Sequence, residues 1–141
     1  MKLNSLNNFT NKVFMKPVFI IILNYNGEYD TMACIDSLIE SNYNPVSICV
    51  IDNGSEKEKM TVLETYLHKT QICFENNMIS SIEKIDINKR NLLFISNDNN
   101  LGFAAGNNVG IKIALQAGFE YVLLLNNDTL VEADFLDRLM K

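Results

Sequence analysis

The chain has 141 residues, enough for one ordinary domain with a real core. Hydrophobic residues make up 48% and charged residues 21%, the balance of a globular protein and not of a disordered one. The formal net charge of −5 argues against a protein that grips nucleic acid through a basic face, and an acidic chain that binds a phosphorylated ligand needs backbone N–H groups or a cation to help it.

Residues 1–16 are Asn-rich and read as a tail, since Val13-Phe14-Met15 is too short for a signal-peptide core. Residues 18–23 form a continuous apolar, β-branched run that stops at Asn24-Tyr25-Asn26-Gly27. That is the pattern of a strand buried on both faces. Asp30 or Thr31 is the expected cap of the next helix, whose apolar Met32, Ile35, Leu38 and Ile39 recur at helical spacing before Pro45. Residues 46–51 make a second strand ending at Asp52-Asn53-Gly54-Ser55, and a helix with Met60, Leu63 and Leu67 on one face runs from Glu56 to about His68. The polar stretch 70–90 breaks the rhythm and reads as an insertion, with a short helix expected around 79–87. A third strand covers 92–95, followed by Ser96-Asn97-Asp98-Asn99-Asn100. A helix over 104–117 is ended by Gly118. The fourth strand covers 121–125, and a last helix is expected over 132–140.

Strands alternating with helices call for an α/β fold with a mostly parallel sheet flanked by helices. Cys34, Cys49 and Cys73 are widely spaced without a CxxC pair, and Cys49 lies inside an apolar run. A reduced, cytoplasmic chain is expected, and no apolar run approaches the ~20 residues of a membrane span.

In open parallel sheets, ligands bind outside the carboxyl ends of the strands. All four strands here end in small polar clusters on that edge. Each could be a turn and nothing more, because Asn, Asp, Gly and Ser are turn residues; four together point to a ligand site. The sharpest is Asn126-Asn127-Asp128, where an apolar run delivers a carboxylate to the sheet edge. A hard cation such as Mg²⁺ is held by one or two carboxylates, with phosphates and waters completing its shell. The bland alternative is Asp128 as a cap for the helix near Glu132. The glycines of Gly102-Phe103-Ala104-Ala105-Gly106-Asn107-Asn108-Val109-Gly110 fall at i, i+4 and i+8, which permits close approach along one helix face. Gly110 reads as packing; Gly102, at the helix N-terminus, could face an anion. The stretch is neither GxGxxG nor a P-loop. His68 reads as exposed or capping, and Glu132, Asp134 and Asp137 as a solvated face.

With these residues in hand, the sequence resembles the family 2 glycosyltransferases of the GT-A fold, closest to a rhamnosyltransferase-like branch that builds bacterial surface polysaccharides. The resemblance runs through Ile21-Ile22-Leu23-Asn24-Tyr25-Asn26-Gly27, Cys34-Ile35-Asp36-Ser37-Leu38, Val50-Ile51-Asp52-Asn53-Gly54-Ser55, the stretch from Asn100 to Gly110, and Leu123-Leu124-Leu125-Asn126-Asn127-Asp128-Thr129. It covers the chain from Val18 onward, apart from the 70–90 insertion. It implies a Rossmann-like nucleotide-sugar-binding half over residues 17–141, truncated with respect to the whole glycosyltransferase domain. It also implies that Asp52 hydrogen-bonds a pyrimidine base near Asn24 and Tyr25. Asn126-Asn127-Asp128 stands where the family has DxD, with Asn126 toward the ribose or sugar and Asp128 on a divalent metal, Mg or Mn. Asn26, Asn53, Asn127, Gly102 and Asn107 complete the expected substrate-binding set. The implied donor is a dTDP- or UDP-linked sugar, and the implied transfer is inverting, to a saccharide or lipid-linked acceptor. The catalytic base is expected beyond Lys141, so this chain alone is expected to be inactive or weakly active. A position at the inner face of the membrane would fit lipid-linked acceptors.

Three other readings compete. A DxDx(T/V) phosphatase would have Asn126 at the nucleophile position, which disables it. A dehydrogenase-like fold would need a glycine fingerprint where Asn-Tyr-Asn-Gly stands. A non-catalytic nucleotide-binding or assembly module, dimeric or covered by a partner, is the remaining alternative.

Overall fold

The apolar run after Pro17 forms β1 (Val18–Asn24) and the next forms β2 (Val46–Asp52), in a computed structural model that describes residues 14–74 and 81–141. They pair in parallel from Val18↔Val46 to Asn24↔Asp52. β2 is buried along its whole length and β1 at every residue but Leu23, which is why both read as near-continuous apolar runs and not as alternating ones, with only Ser47, bonded by Asn91 Nδ2 at 2.8 Å, interrupting the apolar part of β2. β3 (Asn91–Ser96) flanks β2 and β4 (Tyr121–Asn126) flanks β1, so the sheet has the order β3-β2-β1-β4 with all strands parallel. Parallelism brings all four carboxyl ends to one edge.

Helices cover both faces. Ile20, Ile22, Ile48 and Val50 pack with Ile35 and Leu38 of α1 (Glu28–Ile39) and with Leu63 and Leu67 of α2 (Lys57–Thr70). Their alternates Phe19, Ile21, Cys49 and Ile51 meet Ile113 and Ala114 of α3 (Phe103–Ala117). The Phe19 and Phe119 rings lie 5.0 Å apart on this side. Each fully buried aliphatic side chain contributes about 1.5–3 kcal/mol. α3 sits close to β1 because its glycines permit it. A Cβ on Gly110 would lie 2.8 Å from Ile21 Cδ1, and one on Gly106 would lie 2.7 Å from Leu23 Cδ1. Packing is therefore the role of Gly110, as its spacing suggested.

Three local expectations are corrected. α1 starts at Glu28 with Gly27 as its N-cap and no side-chain cap, so Asp30 and Thr31 lie inside the first turn. Thr31 donates its backbone N–H to Gly27 O, and its hydroxyl serves a loop instead. The helix expected around 79–87 is a single 3-10 turn at Ile82–Lys84; residues 79–80 lie outside the described residues. Ile82, Ile85 and Ile87 instead pack against the α3 layer. Finally, α4 covers only Phe135–Leu139, because a turn in which Phe135 N–H meets Glu132 O precedes it.

β4 is the one strand with a half-open face: Val122 is 38% and Leu124 44% exposed. Among the described residues no helix is long and apolar enough to cross a membrane.

Candidate functional site

The β1 and β2 tips are joined by a buried polar cluster. Asn24 and Asp52 are both fully buried, and Asn24 Nδ2 donates to Asp52 Oδ1 at 2.8 Å. Ser55 donates to the same carboxylate twice, Oγ to Oδ1 at 2.6 Å and backbone N–H to Oδ2 at 3.0 Å. Three donors thus offset the cost of burying this charge, and they fill most of the roughly four acceptor sites that a carboxylate offers. Ser55 Oγ accepts in turn from Asn26 N at 2.8 Å. Asn26, at φ 52°, turns its Oδ1 to the N–H of Glu56 at the start of α2. Left-handed backbone suits Asn better than most residues. Tyr25 stays half-exposed at the tip.

Asn53 binds the next loop to this cluster. Its Oδ1 accepts from Asn97 Nδ2 and Leu101 N, and its Nδ2 donates to Asn100 Oδ1 at 2.9 Å. Gly54, at φ 78°, is essential to the fit: a Cβ there would lie 2.5 Å from the carbonyl carbon of Asn99. The loop leads to Gly102, at φ 81°, which starts α3 without any side-chain cap.

A cavity of about 290 Å³ opens between the first turn of α3 and the tip of β4, lined by Phe103 and Asn107 on one side and by Asn126, Asn127 and Asp128 on the other. Asn107 is buried, its Nδ2 on Phe103 O at 2.9 Å. Asn127 faces inward, donating from Nδ2 to Thr31 Oγ1 at 3.1 Å and to Gly27 O at 3.4 Å. Asp128 is exposed, and its carboxylate takes part in no hydrogen bond or ion pair among the described residues. It caps no helix, because α4 begins only at Phe135. Beneath the loop, Cys34 Sγ lies 3.8 Å from Asn126 O. Burial first, and the Asp128 charge second, push its thiol up to about 11. A larger space of about 610 Å³ lies at the opposite edge, around Lys16, Tyr43 and Tyr121, away from the strand ends.

The donor set at the cavity fits a hard divalent cation in one way only. No group of three or more His, Cys, Asp or Glu gathers among the described residues. One open carboxylate beside a space for phosphates suits a cation that arrives with a diphosphate; it does not suit a closed protein cage.

The expected residues therefore divide into two groups. Asn107, Asn126, Asn127 and Asp128 line one cavity, with Gly102 at its margin. Asn24, Asn26, Asp52 and Asn53 hold loops to one another. Thr31, read in the sequence only as a candidate helix cap, and Ser55 and Phe103 belong to the site without having been among the expected site residues. Ser55 carried a signal, since Asp-x-x-Ser builds local turns. Thr31 carried none, because its partners Asn24 and Asn127 meet it only through the fold.

Known proteins agree with this architecture. TarS of S. aureus superimposes with a TM-score of 0.60 at 23% identity, over 89% of this chain and 31% of that one. Its complex with UDP-GlcNAc superimposes with a TM-score of 0.61. The mannosyltransferase PcManGT of Pyrobaculum calidifontis, solved with GDP-Man and Mn²⁺, gives a TM-score of 0.66 at 18% identity, over 88% of this chain and 31% of that one. The chain thus spans about a third of the length of these solved chains and shares with them the Rossmann-like GT-A fold. Among curated proteins no sequence matches. The family model for glycosyl transferase family 2 matches residues 19–141, and the chain belongs to that family.

Proposed function

We infer that the cavity at the tip of β4 receives the diphosphate and sugar of a nucleotide-sugar, and that the chain is the donor-binding part of an inverting, metal-dependent glycosyltransferase. The observation that carries the reading is the open Asp128 carboxylate across a cavity of about 290 Å³ from the uncapped N-terminus of α3. Uncapped first-turn N–H groups favour phosphate, and the acidic side opposite calls for a cation between itself and the ligand. A divalent ion held there supplies neutralisation of the charge that builds on a departing nucleoside diphosphate.

The chain's own residues divide the remaining work. Asp128 fixes the charge pole, while Asn126 and Asn107 offer neutral amides suited to ribose or sugar hydroxyls. By the sequence resemblance Asp52, buried but with about one acceptor site to spare, would read a base N–H, and the half-exposed Tyr25 would cover a ring. Among the residues lining the cavity Asp128 is the one carboxylate. With Asp128 on the cation, the base that takes a proton from an acceptor hydroxyl is to come from outside the described residues that line this cavity. A UDP- or dTDP-linked donor and a saccharide or lipid-linked acceptor in polysaccharide synthesis follow from the sequence resemblance to the rhamnosyltransferase-like branch, and a cytoplasmic setting from the widely spaced, unpaired cysteines. UDP-GlcNAc and GDP-Man in the TarS and PcManGT structures support the donor class.

Calorimetric titration of the folded chain with UDP, dTDP and GDP, each with and without Mn²⁺, tests the reading. Binding that requires Mn²⁺ is expected; no heat with any of them would overturn it. The exposed apolar residues Leu124, Phe103 and Leu130 favour a second reading, an assembly module closed by a partner. A strictly monomeric chain that binds nucleotide would speak against it.

A further inference from the structure

We propose that Thr31 is a positioning residue that fixes the Asn126-Asn127-Asp128 turn against the Asp52 cluster. The connection is a directed chain of hydrogen bonds across three loop regions. Asp52 is acceptor-only when ionised, so Asn24 must present its Nδ2 to it, as the 2.8 Å bond shows. The Asn24 Oδ1 then faces the other way, toward Gly27 N at 3.2 Å and Thr31 Oγ1 at 2.9 Å. Thr31 has a single hydroxyl proton, and both acceptors within its reach, Asn24 Oδ1 and Gly27 O at 2.9 Å, belong to the β1–α1 junction. Its lone pairs are left for Asn127 Nδ2, which donates at 3.1 Å. The buried carboxylate sets the Asn24 amide, and the Gly27 carbonyl, which also accepts from Asn127 Nδ2 at 3.4 Å, keeps the Asn127 amide in the same sense.

A second observation locates the same seat independently. A Cβ on Gly27 would lie 2.7 Å from Asn127 Nδ2, so the Asn127 amide rests against a bare Cα. Thr31 is fully buried, and no solvent competes for its hydroxyl. The anchored residue stands inside a tight turn closed by Thr129 N on Asn126 O at 3.1 Å, and Asp128 is its neighbour in that turn. Fixing the Asn127 side chain thereby fixes where the Asp128 carboxylate stands over the cavity. The effect on ligand rests on the donor-site reading above; the tie itself does not.

Thr31→Val removes the hydroxyl while keeping the branched shape, and Thr31→Ser keeps the hydroxyl. Amide exchange followed by NMR reads the tie without any ligand. In Thr31→Val the Thr129 amide is expected to exchange about five- to tenfold faster, the worth of one hydrogen bond, with β1 amides unchanged and Thr31→Ser like the wild type. In calorimetry with UDP, Thr31→Val should weaken the Mn²⁺-dependent binding by a similar factor, and Thr31→Ser should bind like the wild type. If Thr31→Val does not fold, Asn127→Ala breaks the same link from the β4 side and should give the same exchange result. Unchanged Thr129 exchange overturns the proposal, as does faster exchange with undiminished Mn²⁺-dependent binding. A wild type that binds no UDP, dTDP or GDP sinks the donor-site reading instead, and the exchange result then decides the tie by itself.

Discussion

Asn24 Nδ2 donates to Asp52 Oδ1 at 2.8 Å with both side chains fully buried, and this bond joins the tips of the two central strands. Asp52→Asn turns an acceptor that receives three donors into a group carrying two donors of its own, so at least one of the three bonds must go. Loss of a hydrogen bond to a buried charged group costs about 1.5–3 kcal/mol, read as a lower urea midpoint at unchanged slope. A midpoint equal to the wild type would mean that Ser55 and Asn24 do not depend on the charge.

Asp128 should behave in the opposite way. Its exposed carboxylate holds nothing together, so Asp128→Asn is expected to change stability by less than about 0.5 kcal/mol. Metal-dependent nucleotide binding should fall at least about tenfold, since losing even a group behind a metal ligand costs 10–100-fold. A large stability loss in urea, or full Mn²⁺-dependent binding in calorimetry, would remove Asp128 from the metal role.

Two glycines separate strain from collision. Gly118 has φ 90° with nothing within 4 Å of where a Cβ would stand, whereas Gly54 has φ 78° and would place a Cβ 2.5 Å from Asn99 backbone. Gly118→Ala should therefore cost about 1–2 kcal/mol for left-handed backbone alone. Gly54→Ala should cost roughly 1–3 kcal/mol more, because backbone has to move. Equal losses in urea unfolding would show that the β3–α3 loop yields freely.

The sheet was legible because burial on both faces leaves an unmistakable trace: residues 18–23 and 46–51 have no polar alternation to misread. The carboxyl-edge tips followed from parallelism alone. What stayed hidden was the division of labour among those tips. Asn26, Asn53 and Asn127 have the composition of ligand-binding residues, yet their side-chain amides are directed at Glu56, Asn97, Asn100, Leu101, Thr31 and Gly27. Asn serves a loop and a ligand with the same atoms, so only the partners tell them apart. Thr31 was invisible for the related reason that its partner Asn127 lies 96 residues away. Gly27 as the N-cap of α1 was missed because glycine leaves no side-chain signal; its φ of −124° is open to other residues, and what the position requires is a bare Cα beside Asn127.

The two buried thiols predict how the fold responds to alkali. Burial pushes Cys49 from its ordinary 9.0 up to about 12, and burial with the Asp128 charge pushes Cys34 up to about 11. A thiol whose folded pKa is raised holds its proton longer in the native state than in the unfolded chain. Its contribution is complete below the unfolded value near 9 and is lost as pH climbs toward 11–12. Unfolding midpoints should thus fall steadily across that window. Asp128→Asn should lower the Cys34 pKa and speed its alkylation by iodoacetamide at pH 9, while leaving Cys49 protected, because burial alone protects Cys49. Cys73 is exposed and should react first in both proteins. Equal Cys34 rates with and without the Asp128 charge would show that burial alone sets that thiol and that the carboxylate stands farther from it than the Asn126 contact implies.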